Sequence, residues 1–80
     1  MAIRTIQAPV PGTFYRSSSP DAPPFKNVGD TVAIGDVVGL IEVMKTFIQI
    51  TAEEAGVLAA FHIGNEDAVM AGQPLYDLGA

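Results

Sequence analysis

The pattern Ile6-x-Ala8-x-x-x-Gly12 returns as Ile50-x-Ala52-x-x-x-Gly56, 44 residues later. A second pattern, Val32-x-x-Gly35-x-x-Val38-x-x-Ile41, returns as Val69-x-x-Gly72-x-x-Leu75-x-x-Leu78 at an offset of 37. An 80-residue chain that repeats itself once has few folds open to it. Halves of like pattern build like sheets, related by a pseudo-two-fold axis. The fall in offset from 44 to 37 puts about seven extra residues in the first half, between Gly12 and Gly35. The segment Ser17-Ser18-Ser19-Pro20-Asp21-Ala22-Pro23-Pro24 fits that insertion, and its composition predicts an extended loop. Such a loop is either a tolerated surface insertion or a finger that touches a ligand or partner. Its three prolines lower the entropy lost on ordering, which favours the finger.

The periodicity is short and β-like throughout. Glycines at 12, 29, 35, 39, 56, 64 and 72 punctuate it at turn spacing. The pattern predicts strands over Ile3–Ala8, Gly12–Arg16, Thr31–Ala33, Val37–Val43, Thr46–Thr51, Gly56–His62, Ala68–Met70 and Pro74–Leu78. Pro9 and Pro11 suit strand ends, where no ladder N–H is needed. The predicted class is all-β, a flattened barrel or sandwich of two four-stranded antiparallel sheets with a protruding loop. One domain is expected over residues 1–80.

A domain of this size buries only about 60% of its chain surface. With no cysteine to cross-link it, the fold must rest on its many Val, Ile and Leu side chains. A net charge of −5 argues against nucleic acid and anionic membrane surfaces, and suits a basic protein partner. Val37 to Ile41 is too short an apolar run to span a bilayer. The N-terminal residues lack the apolar stretch of a signal peptide, so a cytoplasmic setting is expected.

Between the two halves stands Glu42-Val43-Met44-Lys45-Thr46. The flanking strands predict an antiparallel hairpin with Val43 opposite Thr46, Ile41 opposite Ile48 and Gly39 opposite Ile50. One face is then apolar, and Leu40, Glu42, Phe47 and Gln49 take the other. A two-residue connection favours positive φ, which Asn-Gly or Asp-Gly supply and Met44-Lys45 does not, so strain of about 1–3 kcal/mol is expected there. From the turn alone, a longer relaxed loop with a solvated lysine stays open. Only Lys26 and Lys45 are lysines, and Lys45 sits at the pivot of the repeat.

The whole chain resembles the biotinyl domain of biotin carboxyl carrier proteins, the carrier subunit of acetyl-CoA carboxylase. That family's motif is Glu-Ala-Met-Lys-Met, with biotin amide-linked to the lysine. Ala8-Pro9-Val10-Pro11-Gly12-Thr13-Phe14-Tyr15-Arg16 extends the likeness. Ser19-Pro20-Asp21-Ala22 resembles the thumb of bacterial and plastid carriers, giving a thumb at about residues 17–25. The resemblance implies the biotinyl/lipoyl (hammerhead) fold, covalent biotin on Lys45, and a carrier with no catalytic residue or metal of its own. Met44 would pack near the biotin ring or a partner, and Ser19, Pro20, Asp21 and Ala22 would contact it. Glu42, Val43, Met44 and Thr46 would serve recognition by the ligase or partner. The implied partners are biotin protein ligase, biotin carboxylase and carboxyltransferase, and the implied task is delivery of a carboxyl group to acetyl-CoA for fatty acid synthesis. Val43 and Thr46 depart from the motif's Ala and Met, and Ile48, where relatives often carry a polar residue, would add exposed apolar surface.

Amide formation needs a neutral amine, and an ordinary lysine is almost wholly ammonium at pH 7. The loading enzyme must supply the base; the domain need only present the amine on a rigid scaffold. Lys26, after the proline run, has no such pedestal. His62, the one histidine, lacks companions for a metal site or triad, and Glu53-Glu54 and Glu66-Asp67 read as solvated turn carboxylates. Tyr15 stands where it could brace the thumb. The rival functions are a lipoyl carrier (whose Asp-Lys-Ala motif is missing), a carrier for pyruvate, propionyl-CoA or urea carboxylase, and an unmodified β-sandwich interaction module.

Overall fold

The computed structural model describes residues 3–79. Residues 1, 2 and 80, the ends of the expected 1–80 domain, lie outside the described residues. Eight strands form: β1 (Arg4–Gln7), β2 (Gly12–Tyr15), β3 (Thr31–Val32), β4 (Val37–Val43), β5 (Thr46–Thr51), β6 (Gly56–Phe61), β7 (Ala68–Val69) and β8 (Pro74–Gly79). They build two four-stranded sheets, in the orders β1-β8-β6-β3 and β5-β4-β2-β7, all pairs antiparallel. Among the described residues no helix is long and apolar enough to cross a membrane.

The expected pseudo-two-fold symmetry is present, with the halves interleaved. Replacing β1, β2, β3 and β4 by β5, β6, β7 and β8, and the reverse, turns one sheet order into the other. Each sheet therefore takes two strands from each half. The repeat is visible in single hydrogen bonds. Gly35 N donates to Ala52 O and Gly72 N to Ala8 O, both at 2.8 Å. Leu58 N donates to Asp30 O and Phe14 N to Asp67 O, both at 2.9 Å. Asp30 and Asp67 each cap the turn before their strand, accepting from Asn27 N and Gly64 N at 2.8 Å.

The core is equally paired: Ala8 with Ala52, Phe14 with Leu58, Val32 with Val69, Val38 with Leu75 and Ile41 with Leu78 are all buried. Burial of each such aliphatic or aromatic side chain larger than Ala contributes about 1.5–3 kcal/mol. Tyr76 joins them; burial, and then the charge of Glu53, pushes its phenol pKa up. Gly12 and Gly56 are also equivalent, and a Cβ at either would overlap a backbone carbonyl oxygen of the neighbouring strand, that of Glu42 or Gly79. These positions need glycine because the paired strands approach too closely there for a side chain.

The observed strands differ from expectation only at their ends. Ile3, Ala8, Arg16, Ala33, His62 and Met70 fall outside the ladders, and Gly79 is added. At three of them the backbone serves a turn instead: Ala8 N bonds Gln73 O at 2.8 Å, and Ala33 N and Met70 N bond the side chains of Asp36 and Gln73.

His62 lies at the end of β6 with Nε2 2.8 Å from Asp77 Oδ1, and Thr5 Oγ1 donates to the same oxygen at 2.7 Å. The Thr5 bond first, and the His62 bond second, hold the Asp77 carboxyl below its ordinary pKa. A carboxylate lowered in the folded state stabilises the protein above the ordinary carboxylate range and ceases to do so as pH falls through its own lower value. Thermal midpoints measured from pH 6 down to pH 2 should therefore fall less steeply for Asp77→Asn than for the parent below about pH 4.

Candidate functional site

The β4–β5 hairpin joins the two halves, and its register is the expected one: Val43 opposite Thr46, Glu42 opposite Phe47, Ile41 opposite Ile48, Leu40 opposite Gln49, Gly39 opposite Ile50. Only Met44 and Lys45 remain for the turn, and both adopt left-handed backbone, with φ of 49° and 67°. Positive φ at both central residues is the turn that matches the twist of paired strands. Met and Lys adopt it against their own sterics, at about 1–2 kcal/mol each. Met44→Gly should raise unfolding stability by about 1 kcal/mol in a denaturant titration, because glycine removes that penalty.

The tip projects fully. Met44 is 94% exposed, and Lys45 and Thr46 are exposed as well. Lys45 has no hydrogen bond or ion pair among the described residues. Lys26 is its opposite: its Nζ lies 3.1 Å from Asp36 Oδ2 and 3.2 Å from Thr31 O. The Asp36 carboxyl is lowered in pKa by the Ala33 N–H and then by Lys26, so that ammonium is committed to a structural contact. Val43 points inward and packs against the core, which explains how a residue larger than alanine fits beside the tip. Ile48 is half-buried on the same face as Ile41, so the expected exposed apolar patch is not there. Its neighbour Phe47, 56% exposed on the outer face, supplies one instead.

The inserted residues follow β2. Ser17 and Pro24 form an isolated bridge, Phe25 N donates to Arg16 O at 2.8 Å, and Ala22 N closes a turn on Ser19 O at 3.1 Å. Pro20 sits second in that turn, where its ring presets φ. The base is clamped by the Arg16 guanidinium, 4.1 Å from the Phe61 ring centroid, and by Arg16 N donating to Asn65 Oδ1 at 2.8 Å. The loop stands over the outer face of the β5-β4-β2-β7 sheet. Between it and that face opens a cleft of about 250 Å³, lined by Tyr15, Ser17 to Pro20, Phe47, Asn65 and Glu66.

Tyr15 ties the cleft to the hairpin. Its hydroxyl donates to Glu42 Oε1 at 2.8 Å, and its ring meets Phe47 at a centroid distance of 6.0 Å. The Glu42 bond is the main reason the Tyr15 phenol has a raised pKa. Glu42 is thus half-buried and held three residues before Lys45; it and Lys45 are the only charged side chains from Val37 to Ile50.

This arrangement has counterparts among known proteins. The family model described as biotin-requiring enzyme (biotin/lipoyl) matches residues 4–78. The chain belongs to that family. The biotin carboxyl carrier protein of acetyl-CoA carboxylase from Haemophilus influenzae is 43% identical over 70 residues, covering 88% of this chain and 45% of the relative. The carrier of the same name from Pseudomonas aeruginosa is 36% identical over 73 residues, covering 91% of this chain and 47% of the relative. This biotin-family chain therefore spans about half the length of the curated relatives it matches. The crystal structure of Kluyveromyces lactis urea carboxylase superimposes with a TM-score of 0.79 at 26% identity, over 99% of this chain and 6% of that one. The fold is the biotinyl/lipoyl type expected from the resemblance.

Within this biotin-family framework the sequence-predicted residues fall in two places. Glu42, Val43, Met44, Lys45 and Thr46 lie together on the hairpin. Of the loop residues, Ser19 and Pro20 line the cleft, whereas Asp21 and Ala22 belong to the turn and are not on its lining. Phe47, Asn65 and Glu66 line the cleft and were not singled out from sequence as site residues. One signal was available for Glu66: it occupies the repeat position of Gly29.

Proposed function

We propose that this domain is a biotin carboxyl carrier, with biotin amide-linked to Lys45, serving acetyl-CoA carboxylase in the cytoplasm. The observation that carries the reading is the lysine's position: exposed, without a partner among the described residues, at the second residue of a two-residue turn on a stiff hairpin. An amine so held can enter a loading enzyme's active site without local unfolding, and the enzyme meets the same backbone shape on every encounter. The residues around it fit the group: an exposed amine for the amide, and a cleft with aromatic walls beside it for the ring.

Bound there, biotin supplies a ureido nitrogen that takes a carboxyl group at one enzyme and yields it at another. The chain's own residues do the rest. Lys45 holds the amide, β4 and β5 fix its origin, and Tyr15 and Phe47 offer the ring an apolar resting surface. Glu42 presents a fixed charge to an approaching partner. Tethering keeps the group at high effective concentration for both enzymes, biotin carboxylase and carboxyltransferase. Acetyl-CoA as acceptor is supported by the carriers at 36–43% identity, against 26% for the urea carboxylase. The test is intact mass after incubation with biotin ligase, ATP and biotin. A single biotin adduct is the expected result; an unchanged mass, or an adduct only with lipoyl ligase and lipoate, overturns it.

A further inference from the structure

The two halves differ at one backbone position in a way the fold does not require. Gly29 and Glu66 are pseudo-symmetric partners with left-handed backbone, φ 97° and 68°. Gly29 N donates to Leu58 O at 2.8 Å, and Glu66 N donates to Phe14 O at 2.7 Å. The backbone task is the same, but glycine performs it freely while a residue with a Cβ is strained. The other asymmetry is the inserted loop. It follows the end of β2 at Tyr15, next to Phe14, whose carbonyl Glu66 bonds; in the second half, where Gly29 bonds the Leu58 carbonyl, β6 runs on to Phe61 and no insertion follows it. The strained carboxylate is found only where the cleft is.

Glu66 is also the only carboxylate on the cleft lining. Its charge adds to that of Glu42 in raising the Tyr15 phenol pKa. The nearby acceptor Asn65 Oδ1 is already taken by Arg16 N at 2.8 Å. A strained side chain kept where glycine would serve the backbone points to work done by the side chain itself.

We propose that Glu66 is a binding residue of the cleft, supplying the hydrogen-bond acceptor for a ring N–H of the cyclic urea carried on Lys45. The proposal rests on the reading that Lys45 carries biotin. A cyclic urea presents two N–H donors and one carbonyl, so a site that holds it needs an acceptor free of protein partners. A carboxylate is the strongest acceptor a side chain offers.

Amide NMR spectra of the unmodified and biotinylated forms of the parent, Glu66→Ala and Glu66→Gly decide it. In the parent, biotinylation should shift the amides of Ser17 to Ser19 and Asp21. In both variants those shifts should shrink several-fold. Unmodified Glu66→Gly should meanwhile melt higher, on the order of 5 °C, and Glu66→Ala should not, since alanine keeps the strain and loses only the carboxylate. Parent-like loop shifts in Glu66→Ala, or no loop shifts in the parent, overturn the proposal. Intact mass on the same samples keeps this result apart from the carrier reading, which fails only where no biotin adduct forms.

Discussion

Lys45→Arg should fold like the parent and accept no biotin, a loss of labelling by at least a hundredfold. Arginine keeps the charge and length at the tip but stays protonated, so it has no free nitrogen lone pair for acyl transfer. The fold has no stake in the side chain: Lys45 is exposed and bonds nothing among the described residues. Lys26 lacks that display, because Asp36 and the Thr31 carbonyl hold its ammonium against the scaffold. Intact mass and streptavidin capture read the outcome, and a parent-like thermal midpoint shows that the variant is folded. Labelling that survives in Lys45→Arg would move the attachment site elsewhere and remove the central role given to the hairpin.

Gly56→Ala should destabilise the domain by about 3 kcal/mol, the upper end of the range for overpacking. For a chain of this size that corresponds to a fall in melting midpoint of roughly 15 °C. The added methyl would strike the Gly79 carbonyl oxygen, which is backbone in a paired strand and cannot rotate away. Gly12→Ala should behave alike, since its methyl would strike the Glu42 carbonyl by the same symmetry. Gly72→Ala is the contrast. Its φ of 85° makes alanine strained, but the space around it is open, so about 1 kcal/mol should be lost. Denaturant unfolding of the three variants separates close packing from backbone conformation. Equal losses in all three would mean that the strand approach is looser than it looks.

The parts legible in the sequence share a physical cause. Hydrophobic alternation has a period of two, so a register error would turn every core residue to solvent; Ile41 and Ile48 could be paired correctly before any coordinates. The glycines that mark turns and close strand approaches repeat at fixed offsets because the same backbone geometry recurs in both halves. The extra residues of the first half could be counted because that recurrence fails there. Strand ends were less legible, since at Ala33 and Met70 the backbone N–H bonds a side chain of the following turn, Asp36 or Gln73, instead of a neighbouring strand.

The site divides along the same line. The hairpin register, the place of Lys45 at the pivot of the repeat and the charge of Glu42 are properties of nearby residues, and the sequence alone determined them, together with the all-β class and the duplicated plan. Tertiary structure decided that the halves interleave, that the turn closes on Met44 and Lys45 alone with the lysine exposed, that Tyr15 bonds Glu42 across 27 positions of chain, and that Glu66 and Phe47 line one cleft. It also separated the two lysines, by giving one of them partners. Those facts depend on which strands become neighbours. Neighbours in a sheet are chosen by the burial of the whole core, a sum over both halves that no local stretch of sequence records.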